Sequence, residues 1–383
     1  MGAYILRRLL LVIPTLIGIM VINFALTQLV PGGPIDQVAA RLEGEGDALD
    51  RIAGSGGDPG TTDKAAEDGY IGARGLSPDF LAKLEVDFGF ARFVCAEGFT
   101  GTPSLETPGC VKEKIPTVER FFIMMGQYLR FDFGESFFKS QSVVDLILDK
   151  MPVSITLGLW TTLIAYAISI PLGIRKAVRD GSSFDTWTSS VIIAAYAIPG
   201  FLFAILLMVL FAGGSFWKIF PLRGLTSNGW EDMTMLAKIG DYFWHITLPV
   251  LAMTISSFTT LTLLTKNSFL DEIKKQYVIT ARAKGLSERG VFYGHVFRNA
   301  MLIVIAGFPG LFIGVFFGGS LIIETIFSLD GLGRLGYTAA VERDYPVVFG
   351  TLYAFGILGL IIGIVSDLMY VWVDPRIDFE RRG

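Results

Sequence analysis

Two cysteines and two histidines are this chain's whole supply of thiols and imidazoles. Cys95 and Cys110 lie near each other in a polar stretch rich in Gly and Pro, whereas His245 and His295 stand far from both. A structural zinc needs about four such ligands in closely spaced pairs, so no metal is expected. The cysteines leave two readings open: a disulfide, as an oxidising compartment permits, or two separate thiols. The segment GESFFKS (134–140) ends in Lys139 and Ser140 like a phosphate loop. It lacks the glycine before the lysine that such a loop carries. Neither a G-x-S-x-G elbow nor an H-E-x-x-H pair is present. The expectation is a chain with no catalytic residue, metal or cofactor of its own.

Composition points to the membrane instead. Of 383 residues 52% are apolar and 18% charged, the latter below the roughly 25% of soluble domains. Several apolar windows reach the roughly 18 residues that a bilayer crossing requires. Six spans can be drawn, near 9–30, 153–174, 187–212, 246–265, 300–323 and 347–372. The first follows Arg7 and Arg8 as a signal peptide would, but it is too long and has no A-x-A site, so a retained helix is expected. Gly310, Gly314, Gly318 and Gly319 give the fifth span small residues for close helix approach. Lys and Arg in the segments between spans favour a cytoplasmic location for both termini. The charges are unevenly placed, so the net −4 says little by itself, and no basic field for nucleic acid is seen.

One polar segment between spans asks for its own explanation: QYVITARAKGLSERGVFYGHVFRNA, residues 276–300. Ser268 can cap a helix with Asp271 and Glu272 in its first turn, and Phe269, Ile273 and Tyr277 recur at helical spacing. Gly285 suits the left-handed position after a helix end, and Ser287 can cap the next helix. Ala281 and Gly285 would leave a bare patch framed by Arg282, Lys284 and Arg289. Either the segment is a loop kept basic by topology, or another protein seats on that patch.

The stretch 31–150 is the one large region between spans. Its Gly- and Asp-rich part, 43–69, has little to bury and is expected to be mobile. Two amphipathic helices are expected after it, one beginning at Ser77 with Phe80, Leu81, Leu84 and Phe88, the other carrying Val118, Phe121, Phe122, Met125 and Leu129.

TARAKGLSERGVFYGHVFRNA (280–300) resembles the cytoplasmic signature loop of ATP-binding-cassette importer permeases in its peptide-transporter form. FDFGES (131–136), PVSITLGLW (152–160), GLGRLGYTAAVERDYPVVFG (331–350) and VDPRIDF (373–379) are similar to the oligopeptide and dipeptide branch of that family. Within the branch, HITLPVLA (245–252), the Gly/Asp-rich extension and the DPRIDFE ending resemble the Yej-type importers of peptides and the peptide antibiotic microcin C. The resemblance implies an all-α membrane protein with six transmembrane helices of the type I (MetI-like) permease fold. Its parts would be a first helix in 1–30, a periplasmic insertion in 31–150 and a five-helix core in 151–383. The coupling segment, about 266–298, would seat Thr280, Ala281, Arg282, Ala283, Lys284, Gly285, Leu286 and Ser287 in a groove of an ATPase. The implied partners are a second homologous permease, two ATP-binding-cassette domains with their ATP and Mg, a periplasmic peptide-binding protein, the peptide substrate and the lipid bilayer. Residues 93–113, with both cysteines, depart from the family's usual pattern.

Two features stay undecided at this level. Glu342, Arg343, Asp344 and Tyr345 form either an outer gate and dock for the binding protein or a solvated, ion-paired turn. Asp367, inside the last apolar run, is either a proton relay or a structural side chain held by a neighbour. A secondary transporter working without ATP is the competing class. It would carry charges along a mid-membrane path and an internal repeat, and neither is visible here.

Overall fold

The computed structural model describes residues 2–29, 33, 35, 38, 78–95, 109–212, 216–313 and 320–373. The Gly/Asp-rich stretch, Ser77, Gly314, Gly318, Gly319 and most of VDPRIDF lie outside these residues. The chain divides into two compact units, Met1–Ile13 with Ile147–Tyr337 and Phe355–Gly383, and Pro14–Leu146 with Thr338–Ala354.

Most of the described chain is helical. In order come α1 (Gly2–Leu29), α2 (Pro78–Asp87), strands β1 (Ala91–Cys95) and β2 (Cys110–Lys114), α3 (Thr117–Tyr128), α4 (Val143–Val178), α5 (Ser183–Tyr196) and α6 (Gly200–Phe211). There follow α7 (Met235–Ile273), α8 (Gln276–Ala283), α9 (Glu288–Val291), a π segment (Phe292–Val296), α10 (Phe297–Ala306), α11 (Phe308–Ile313), α12 (Ser320–Ile326), α13 (Leu332–Glu342) and α14 (Tyr345–Val373). Among the described residues four helical stretches are long and apolar enough to cross a bilayer: Leu6–Leu26, Val143–Val178, Glu288–Gly310 and Tyr345–Met369. Two bent pairs raise the number to six if each pair is one span.

Several helices differ from their expected form. The span expected over 187–212 is two helices meeting at 89°, because Pro199 stops helical hydrogen bonding and α6 restarts behind it. Ser268 caps nothing: α7 runs through it without interruption, and its hydroxyl donates to the Ala300 carbonyl at 2.6 Å. In α3, Val118 and Phe122 stand exposed, as does Leu129 just beyond it, while Tyr128 is buried. The all-α expectation also missed a small sheet. β1 and β2 pair antiparallel, and their register sets Cys95 opposite Cys110.

Two apolar cores form among the described residues of the larger unit. One gathers Leu157, Ala204, Ile246, Val250, Ile323 and Phe327 from α4, α6, α7, α12 and the turn just after α12. The other joins Phe269 of α7 and Val278 and Ala281 of α8 to Val291, Val296, Ala300 and Val304 farther along the chain. Helices α4 and α7 cross with almost no space between backbones. A Cβ on Gly173 would meet the Thr265 Cβ at 2.6 Å and the Thr262 carbonyl oxygen at 2.9 Å. In the other unit Glu85 of α2 is buried and pairs with Lys112 of β2 at 2.9 Å, which ties that helix to the sheet.

Candidate functional site

The segment 276–300 folds as a helix, a turn and a second helix. α8 ends as local chemistry dictates: Gly285, at φ +80°, donates its N–H to Arg282 O at 2.9 Å, and Leu286 N–H reaches Ala281 O at 3.4 Å. This pair of bonds is the Schellman closure, which needs a left-handed residue where α8 stops. Ser287 then caps α9 by accepting the Gly290 N–H at 3.2 Å.

The hairpin has an anchored face and a bare one. Val278, Ala281, Val291 and Val296 enter the second core, and Phe292 stacks on Phe269 with ring centroids 5.6 Å apart. Tyr277 donates to Glu272 at 2.6 Å and accepts from Asn299 at 3.1 Å, while Lys275 pairs with the same Glu272. Burial, together with the Glu272 carboxylate, pushes the Tyr277 hydroxyl up to about 12. Ala281, expected on the bare patch, is instead 7% exposed and packs inward. The outward residues are Thr280, Arg282, Ala283, Lys284, Gly285, Leu286 and Ser287, joined by Ile279 and Tyr293, which are 55% and 61% exposed. Ile279 was missed in the sequence, although an apolar side chain among Thr, Arg and Lys was a usable signal. Arg282 pairs with Glu288 at 3.0 Å across the turn.

The turn at 342–345 closes α13 by the same geometry with a different residue. Arg343, at φ +58°, donates to Ala340 O at 3.3 Å, and Asp344 N–H donates to Ala339 O at 2.9 Å. The solvated, ion-paired reading fails for Asp344, which is 1% exposed. Its carboxylate accepts from the Ser136 hydroxyl, from the Phe137 N–H at 3.1 Å and from the Val347 N–H in the first turn of α14. Burial raises its pKa above the ordinary carboxylate range, against the pull of these donors. Glu342, Arg343 and Tyr345 remain partly accessible.

Glu324, near the end of α12, is fully buried. It accepts from Ser154 Oγ at 3.0 Å and from the Arg334 N–H at 2.8 Å, and Gly331 leaves no room for a Cβ against it. Asp367 pairs with Arg8 at 2.8 Å, a neighbour of the kind the structural reading expected. Cys95 and Cys110 are joined by a disulfide. Among the described residues no three His, Cys, Asp or Glu side chains cluster as a metal would require.

These features meet a clear set of relatives. A permease named as part of a peptidoglycan transport system, YejB of Agrobacterium fabrum, is 60% identical over the full length of both chains. The inner membrane ABC transporter permease YejB of Escherichia coli O157:H7 is 55% identical, again over both full lengths. The oligopeptide transport permease AppB of Bacillus subtilis is 30% identical over 99% of this chain and all of its own. Among solved structures, the MetNI methionine ABC transporter in inward-facing conformations aligns with 60% of this chain and 97% of its own, at 15% identity and TM-score 0.45. The family model described as "Binding-protein-dependent transport system inner membrane component" matches residues 169–379. The chain belongs to that family of binding-protein-dependent inner membrane permeases.

Proposed function

We propose that this chain is one of two membrane-spanning permeases in an ATP-binding-cassette importer that moves peptides into the cytoplasm. The observation that carries the coupling role is the hairpin 276–290, whose inner side is fixed in a helical core while its outer side stays bare. A segment built in this way can pass a push from outside the bundle to several helices at once. Ile279, Thr280, Arg282, Ala283, Lys284, Gly285, Leu286 and Ser287 would seat in a groove of an ATPase, and the ATP and Mg would stay on that partner. The chain itself would be no enzyme.

The bent pairs count as single spans in this reading, giving six. Both termini then lie in the cytoplasm, and 31–150 is a periplasmic insertion where the Cys95–Cys110 disulfide suits an oxidising compartment. The partly accessible edge of the 342–345 turn would sit on the outer side as a gate or dock for the binding protein.

The substrate class follows from the names of the relatives. One belongs to a peptidoglycan transport system and another to an oligopeptide transport system. Short peptides cut from peptidoglycan satisfy both, and microcin C, itself a modified peptide, fits the same path.

Gentle extraction of the tagged chain from its native membrane should bring an ATPase, a second permease and a peptide-binding protein with it. Reconstituted, that complex should accumulate a labelled peptidoglycan tripeptide only when ATP is supplied. A chain that purifies alone even after crosslinking, or uptake indifferent to ATP, would return the choice to a secondary transporter.

A further inference from the structure

Lys176 is fully buried, which is costly for an ammonium unless every donor is met. Here it is met: Lys176 Nζ lies 2.9 Å from a carboxylate oxygen of Asp185 and 2.9 Å from the Asp185 carbonyl. It also donates to Thr188 at 2.8 Å and to Ser189 at 2.7 Å. The other Asp185 oxygen takes Lys266 of α7 at 2.7 Å and the Gly181 N–H at 3.2 Å, and Lys266 reaches Asp180 at 3.0 Å. Two cations and two anions thus join the end of α4, the α4–α5 turn, the first turn of α5 and α7. One turn before Lys176 lies Gly173, whose bare backbone presses on Thr265, the neighbour of Lys266. Just after Lys266 come Ser268 and Phe269, the α7 residues that grip Ala300 and Phe292 of the coupling region.

We infer that Asp185 is a positioning residue for coupling: through Lys266 it makes α5 follow α7 when the ATPase moves the 276–290 hairpin. This rests on the coupling reading above. Its physical content is that one buried carboxylate holds both the fully buried Lys176 and the partly buried Lys266. Releasing Lys176 would strand a charge and releasing Lys266 would cut the tie to α7, so three helices shift as one body. Basic residues between spans count in the sequence only toward orientation, and the shared ion pairing of Lys176 and Lys266 with Asp185 is what the structure adds.

The test uses the complex as it purifies with this chain. The native cysteines are bonded to each other, so the thiol of a Thr186→Cys variant, on the exposed side of α5, can be labelled with a maleimide. Trapping the complex with ATP and vanadate should change that labelling rate about fivefold or more, the scale of an ordinary coupling energy. With Asp185→Asn or Lys266→Gln added, the change should shrink below about twofold, and the two together should lose no more than either alone. Asp185→Glu should restore part of it. A separate reporter, Ala283→Cys, shows whether the ATPase is seated, and its thiol should be protected in all of these backgrounds. Full retention of the rate change in Asp185→Asn with the 283 reporter protected overturns the inference. So does a Thr186→Cys chain, otherwise unaltered, whose labelling rate ignores the trap. A 283 reporter left unprotected in the otherwise unaltered complex instead overturns the coupling reading. Should Asp185→Asn fail to accumulate, Lys266→Gln carries the same comparison.

Discussion

Arg343 and Gly285 occupy the same left-handed position at the ends of two helices, and they carry different costs. A side chain there is about 1–2 kcal/mol less favourable than glycine. Arg343→Gly is therefore expected to raise thermal stability by up to about 1 kcal/mol. If the guanidinium serves a binding protein, the same variant should transport less while melting higher; equal transport would leave Arg343 without a task. Asp344 behaves differently. Asp344→Ala removes three accepted hydrogen bonds, one of them the cap of α14, and should cost about 1–3 kcal/mol in thermal unfolding of the purified protein. Because its folded-state pKa is raised, its favourable contribution is full below about pH 3.9, the unfolded value, and is lost as pH rises through the higher folded value. Asp344→Asn should flatten the stability profile across that window. A profile as steep as the wild type's would mean that the carboxyl does not titrate there.

At the scale of elements, local chemistry was readable and direction was not. Gly285 and Ser287 could be placed from sequence because a left-handed turn and a helix cap are each satisfied within a few residues. Ala281 could not be oriented, since which side of α8 is inward depends on Phe269 and Val291, distant in the chain. Ser268 misled for a related reason. Serine followed by acidic residues is a fair start signal, but its hydroxyl found a carbonyl on another helix and α7 continued past it. The strand pair was hidden because ARFVC and CVKEK are short, and their pairing is long-range. The orientation of α8 yields its own expectation. Ala281→Phe should overpack the core and cost about 1–3 kcal/mol. Ala283→Glu, on the bare side, should stay within about 0.5 kcal/mol of wild type yet weaken retention of the ATPase during purification. Equal loss of ATPase from both variants at equal stability would contradict the two-sided hairpin.

For the molecule as a whole, full-length identity to named permeases and the family match agree with the apolar helices and with the motifs legible in the sequence. What sequence could not supply was the wiring among distant segments: Asp344 with Ser136, Glu324 with Ser154, Asp185 with two lysines. Each pair lies far apart along the chain or needs a rotamer that packing selects. The disulfide acts over a short span. With a separation of 15 residues, chain-entropy reasoning assigns it about 3 kcal/mol. Cys95→Ser with Cys110→Ser should therefore loosen the β1–β2 hairpin, seen as faster amide exchange there, while the helices keep their protection. Uniform loss of protection would mean that the hairpin supports far more than itself.

The π segment Phe292–Val296 has an evolutionary consequence. A π turn holds one residue more than the α-helical turn it replaces, and such bulges are characteristic of functional sites. Elsewhere in a helix, deleting one residue rotates everything beyond it by about 100°, since a turn holds about 3.6 residues. Deleting Gly294 would instead let the bulge collapse to ordinary helix, leaving the anchored hairpin and α10 close to their present phase. The length of the chain is thus negotiable at this point, and relatives one residue shorter could have arisen here without a compensating change.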